Sequence, residues 1–161
     1  MLFESRFESG NLASALKVSD TDYHLLLQND VNTSGHTQWF FFRVQNTMKG
    51  AQVRFNMLNL SKPDSLFNEG MKVLVQSEKQ SEEKDIGWYR AGQKISYYHN
   101  GISKKDSLKK QGGNNKTLYT LTFTYEFLYD DDTVYFAYCY PYNYSDVLDD
   151  LGKISSDQYK S

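Results

Sequence analysis

Residues 117–127, TLYTLTFTYEF, alternate in side-chain character without a break. Tyr119, Leu121, Phe123, Tyr125 and Phe127 fall on one side; Thr120, Thr122, Thr124 and Glu126 fall on the other. A period of two fits a β-strand with one buried and one solvated face, and it does not fit a helix. Runs of similar character recur at 2–8, 12–18, 23–28, 37–46, 51–60, 71–77 and 133–141, with two more around Gly92 within 86–99. Turn-forming Gly, Asn, Asp and Ser punctuate them. The pattern predicts an all-β chain, an antiparallel β-sandwich of about nine strands with a short C-terminal helix.

Local signals fill in the connections. The runs 37–46 and 51–60 read as a hairpin, with Gly50 supplying the permissive turn position. After Pro63, DSLFNEG reads as a single helical turn, and residues 78–85 as a solvated loop. The polar, lysine-rich stretch 101–116 reads as a surface loop. Residues 145–153 carry a helix signature, with Ser145 as N-cap and Gly152 as the stop. The sandwich is expected over residues 1–142, and a short helix or linker over 143–161.

Composition narrows the function. Aromatic residues make up 16% of the 161-residue chain and hydrophobic residues 39%, too apolar for a disordered chain. The net charge is −2, without the basic excess that tracking nucleic-acid phosphates requires, so no nucleic-acid partner is expected. No apolar run approaches the roughly 20 residues that span a bilayer, so no membrane partner is expected either. With a single cysteine, Cys139, no intrachain disulfide forms, which fits a reducing, cytoplasmic location. The N-glycosylation triplets at Asn32, Asn59, Asn115 and Asn143 then read as chance matches.

Catalytic signatures are missing from this stretch. His24, His36 and His99 stand outside any spaced ligand motif, and the acids 130–132 read as an inter-strand turn. Cys139, set among tyrosines, reads as a packed thiol. No catalytic or metal residue and no cofactor is therefore assigned to this chain. What the sequence offers instead is apolar surface in excess of one core. In HTQWFFFRV, Phe40, Phe42 and Val44 form one row, and Trp39, Phe41 and Arg43 the other. In 133–141, Val134, Phe136, Tyr138 and Tyr140 oppose Tyr135, Ala137 and Cys139. A second face mixing Trp, Tyr and Arg suits a protein contact, unless a loop such as 61–72 of the same chain folds over it.

Several of these stretches are distinctive. FESGNL (7–12), NTSGHTQWFFFRVQNT (32–47), RFNMLNLSKPDSLFNEGMKVLVQSE (54–78), GWYRAGQKISYY (87–98) and YTLTFTYEFLYDDDTVYFAYCYPYNYSDV (119–147) cover nearly the whole chain. In that order they resemble the N-terminal domain of the cytosolic carboxypeptidases, the Nna1-like branch of the M14 zinc carboxypeptidases. The resemblance implies a β-sandwich that precedes a catalytic domain absent here. It also implies a parent enzyme that uses zinc to trim C-terminal glutamates, notably from tubulin and other acidic-tailed proteins. The expected partner is the chain's own catalytic domain, with tubulin or acidic tails as a further partner. Trp39, Phe41, Arg43, Asn59, Lys62, Asp64, Tyr140, Pro141, Tyr142 and Tyr144 are the candidate interdomain or recognition residues, with a cis bond expected at Tyr140–Pro141. The alternative is a stand-alone module that stacks on carbohydrate, or that binds an acidic peptide through Lys104, Lys105, Lys109 and Lys110.

Overall fold

The computed structural model describes residues 1–33, 35–104 and 116–156. Two five-stranded sheets face each other. The first contains β1 (Leu2–Glu4), β4 (Phe41–Gln45), β10 (Val134–Ala137), β6 (Val73–Ser77) and β7 (Tyr89–Ala91), in that spatial order. The second contains β2 (Leu12–Ser19), β3 (Asp22–Leu27), β5 (Gln52–Leu60), β9 (Lys116–Glu126) and β8 (Gln93–Lys104). The all-β sandwich expected from sequence is present. Its pairing is antiparallel except between β3 and β5, which run parallel through Asp22↔Arg54 to Leu25↔Met57.

The period-two readings place side chains correctly. Leu121, Phe123, Tyr125 and Phe127 face the core, together with Phe40, Phe42, Val44, Phe55, Val134 and Phe136. Phe42 stacks on Phe136 at 5.3 Å, and Phe55 lies 5.2 Å from both Phe123 and Phe136. Burying each such ring contributes about 1.5–3 kcal/mol. These rings therefore join the two layers.

The hairpin expected from 37–46 and 51–60 does not form, because β4 and β5 belong to opposite sheets. The turn between them pairs with another connection instead. The Gly50 amide donates to the Phe127 carbonyl at 2.8 Å, the Lys49 amide to Asp130 Oδ1 at 2.8 Å, and Thr47 Oγ1 to the Tyr129 carbonyl at 2.8 Å. The connection from β9 to β10 crosses between the sheets at the same place. The two crossovers satisfy each other's polar groups, which a hairpin turn would have satisfied internally.

Three local readings also change. Residues 78–85 form a helix, α1 (Glu78–Lys84), rather than a loop. Ser77 Oγ accepts from the Gln80 amide at 3.0 Å, and the buried Asp132 accepts from the Lys79 amide at 3.1 Å. The Ser77–Gln80 spacing is itself a capping-box signal. The C-terminal helix α2 spans Tyr144–Ser156, so it starts before Ser145 and runs through Gly152. The Asn143 amide donates to Asp146 Oδ2 at 2.6 Å, which places the cap two residues earlier than expected. Gly152 is not left-handed and so does not stop the helix. The turn after Pro63 does form, as a 3₁₀ segment at Leu66–Glu69 with Ser65 as N-cap and Gly70 left-handed (φ 94°). Its Phe67 packs 6.5 Å from Phe40 and 6.0 Å from Tyr138.

Candidate functional site

The second face of β4 is covered. Phe41 is 6% exposed and packs with Leu74 and Ala137 beneath Phe7, Trp39, Trp88 and Tyr135. Phe7 meets Phe41 edge-on at 4.9 Å, and Trp88 lies at 5.9 Å. The cover is not the loop 61–72, which caps the core around Phe67. It is Trp88 together with the turn 5–10, whose shape depends on Gly10. A Cβ there would lie 2.2 Å from the Ser5 carbonyl oxygen, so only glycine closes the turn that brings Phe7 over β4.

Asn11 fixes the same region. Its Nδ2 donates to the Trp39 carbonyl at 2.7 Å, and its Oδ1 accepts from the Phe41 amide at 3.0 Å. One side chain thus does the work of a strand neighbour, which explains why regular pairing begins only at Phe41 rather than at residue 37. Trp39 Nε1 donates to the Ser9 carbonyl at 2.8 Å. Arg43 sits 5.6 Å over the Phe7 ring, with Nη1 donating to the Tyr135 hydroxyl at 3.3 Å. Burial, with a weaker contribution from Glu78, raises the Tyr135 phenol above its ordinary pKa.

The remaining sequence candidates divide. Asn59 ties β5 to β3, accepting from the Leu27 amide at 2.9 Å and donating to its carbonyl at 2.8 Å, so it fastens the sheet. The carbonyl of the exposed Lys62 receives the Tyr97 hydroxyl, and Asp64 is exposed in the same loop. Burial pushes the Tyr97 phenol up to about 12. Lys105, Lys109 and Lys110 lie outside the described residues, as does the Lys104 side chain.

Tyr140, Tyr142 and Tyr144 are 62%, 63% and 69% exposed, the most open aromatic stretch among the described residues. Ser9, Trp39, Cys139, Tyr140 and Tyr142 line one open cleft of about 500 Å³. The structure thus gathers Trp39, Tyr140 and Tyr142, and leaves out Phe41 and Asn59. Two expectations fail here. The Tyr140–Pro141 bond is trans, because the chain leaves β10 without a tight reversal. Cys139 is exposed rather than packed, because β10 ends at Ala137 and the alternation ends with it.

Helix α2 continues this surface and buries none of its side chains. Leu148, Leu151 and Ile154 are about half exposed and follow one another at helical spacing with Tyr144. The three- and four-residue spacing of this apolar stripe is the sequence signal for it. The helix base is fixed by Glu8, which accepts from the Ser145 amide at 3.0 Å. The Tyr142 hydroxyl donates to Asp150 Oδ2 at 2.8 Å, which raises the phenol pKa and, with Lys153, lowers that of Asp150.

Among the described residues, no group of three or more His, Cys, Asp or Glu is placed to hold a metal ion. The described residues do not fit a zinc site. No described helix is long and apolar enough to cross a membrane.

Comparison with known proteins gives a consistent picture. The sequence pattern of the family described as "Cytosolic carboxypeptidase N-terminal domain" matches residues 3–139. The chain is 50% identical over 155 residues to cytosolic carboxypeptidase 2 of Xenopus tropicalis, covering 96% of this chain and 15% of that protein. It is 43% identical over 161 residues to cytosolic carboxypeptidase 3 of Mus musculus, again over 15% of that protein's length. The chain therefore spans less than a fifth of these relatives. Among solved structures, a putative carboxypeptidase A from Shewanella denitrificans has the same fold, with a TM-score of 0.63 at 20% identity. The alignment covers 98% of this chain and 34% of that one. A metallo-carboxypeptidase from Pseudomonas aeruginosa aligns with a TM-score of 0.59 at 18% identity, over 98% and 34% of the two chains.

Proposed function

The chain belongs to the cytosolic carboxypeptidase N-terminal domain family, and on that premise we propose that it is a non-catalytic accessory domain that docks against the catalytic domain of its own polypeptide. The polypeptide as a whole is then a cytosolic zinc carboxypeptidase that removes C-terminal glutamates from tubulin and other acidic-tailed proteins. The zinc ligands and the catalytic groups belong to its other domain. This domain supplies folding support and helps shape the approach of the substrate.

One observation carries the reading. The exposed Tyr140 and Tyr142 share a cleft with Cys139 and the half-buried Trp39, and the exposed Tyr144 that follows opens the apolar stripe of α2. Trp and Tyr in a partly desolvated cleft are the composition of interface anchors. A carbohydrate-binding sandwich would carry a flat aromatic row on one sheet face. The exposed rings here gather instead on the segment leading into α2.

Cys139 reports on this docking. In the 161-residue chain its exposed thiol is expected to react with a thiol reagent without denaturant. In the longer polypeptide, with labelling of this position read by peptide mass spectrometry, it is expected to be protected. Equal labelling in both would refute docking at this surface.

A further inference from the structure

The outer face of the second sheet carries a polar groove that the docking surface does not involve. Asp22, Arg54 and Thr124 stand in register across β3, β5 and β9, on the face opposite Tyr23, Phe55 and Phe123. The groove has a volume of about 440 Å³, within the range of small-molecule sites. Its lining includes Ser19, Thr21, Gln52, Thr122 and Lys94, and no aromatic or aliphatic side chain.

Two features separate it from an ordinary solvated sheet face. The first is a held guanidinium. Asp22 Oδ2 accepts from Arg54 Nε at 2.8 Å and also from Nη2, while Asp22 Oδ1 accepts from Asn56 Nδ2 at 2.7 Å. Asn56 Oδ1 in turn accepts from Thr122 Oγ1 at 2.8 Å. Asp22 and Asn56 are buried, so Arg54 is anchored by a network with little freedom. Its Nη1 has no hydrogen-bond partner among the described residues.

The second feature is Lys94, which sits in the left-handed region at φ 51°, within the irregular pairing of β8 with β9. A lysine in that region is uncommon, and the irregular pairing after Gly92 holds it there. Lys94 lines the groove and forms no ion pair among the described residues.

The charges that line the groove are Asp22, Arg54 and Lys94, and Glu126, on the same face of β9, is held at its margin by Gln52 Nε2 at 2.9 Å, so the charges on this face balance to zero. Asp22 is taken up by Arg54, and Lys94 is left as a cation without an ion pair among the described residues, which suits a single carboxylate better than a phosphate dianion. The hydroxyl and amide groups around it suit a ligand that carries hydroxyls, and the lack of rings disfavours a flat apolar one. We propose that this groove binds a small hydroxylated carboxylate, with its carboxylate between Lys94 and Arg54 and its hydroxyls on Thr21, Thr122 and Thr124.

The test is titration of the 161-residue chain with D-gluconate at constant ionic strength, followed by amide chemical shifts. Sorbitol serves as the uncharged polyol and inorganic phosphate as the competing anion. Saturable shifts at Ser19, Thr21, Lys94 and Thr124 are expected with gluconate. Lys94→Gly is the decisive variant, since glycine adopts the left-handed conformation freely while the cation is removed. It is expected to raise the unfolding temperature and to weaken gluconate binding by about tenfold or more. A purely structural lysine would give the first effect without the second. The proposal is overturned by unsaturable shifts, by sorbitol binding as well as gluconate, by phosphate binding more tightly, or by undiminished binding in Lys94→Gly.

Discussion

The cluster around Phe41 and the stretch Tyr140–Tyr144 are both dense in aromatic rings, yet one is closed and the other open. Phe41 is covered by Phe7 and Trp88 because Gly10 and Asn11 fold the start of the chain over β4. Tyr140, Tyr142 and Tyr144 have passed the end of β10, and no described element packs over them. The difference teaches that a run of aromatic residues announces apolar area without saying what covers it. Exposure in the fold, not abundance in the sequence, separates a second small core from a docking surface.

The largest effect that can break this comparison is expected at Phe41. Truncation to alanine removes a ring buried among four other rings and should cost about 3–5 kcal/mol in denaturant unfolding. A cost near zero would mean that the closed cluster is not a core. Asn11→Ala comes next. It leaves the Phe41 amide and the Trp39 carbonyl without their partner, at about 1–3 kcal/mol. Trp39 fluorescence should then report a loosened turn 5–10, which a remote destabilisation would not produce.

Alkaline unfolding separates buried from exposed tyrosines. Burial holds the Tyr97 phenol at about 12, whereas an unfolded tyrosine ionises near about 10. Its contribution to stability is therefore complete below pH about 10 and lost as the pH rises toward about 12. Tyr97→Phe should flatten that decline, and an unflattened decline in this variant would show that the phenol is not held neutral by burial. The smallest effect is expected at the open surface. Tyr142→Ala should shift the stability of the chain by no more than about 0.5 kcal/mol. A cost above about 1 kcal/mol would show that this tyrosine belongs to the core of the domain and would erase the contrast with Phe41.

Much of the architecture was legible in the residues. The alternation in 117–127 and the split of HTQWFFFRV into two rows both follow from the two-residue repeat of a strand, a local property. The 3₁₀ turn after Pro63 was equally local, with Ser65 and Gly70 as its signals. Helix α1 was missed although Ser77 and Gln80 announced it, because its charged surface resembles that of a loop. The candidate site was half legible. Trp39, Tyr140 and Tyr142 do converge, but Phe41 and Asn59 do not join them, because alternation gives a side chain's direction and not its exposure.

By itself the sequence determined most of the strand segments, which side of each is apolar, and the family to which the chain belongs; it read 101–116 as a loop, whereas β8 runs on through Lys104 and β9 begins at Lys116. It did not determine that β4 and β5 part into opposite sheets, that β3 and β5 run parallel, or that residues 5–10 cover Phe41. Each of these depends on groups far apart in the chain, such as Gly50 bonded to Phe127 and Asn11 bonded to Trp39 and Phe41. Local periodicity states that a face must be buried. Only the tertiary fold, by satisfying distant backbone groups against one another, decides what buries it and which face is left for a partner.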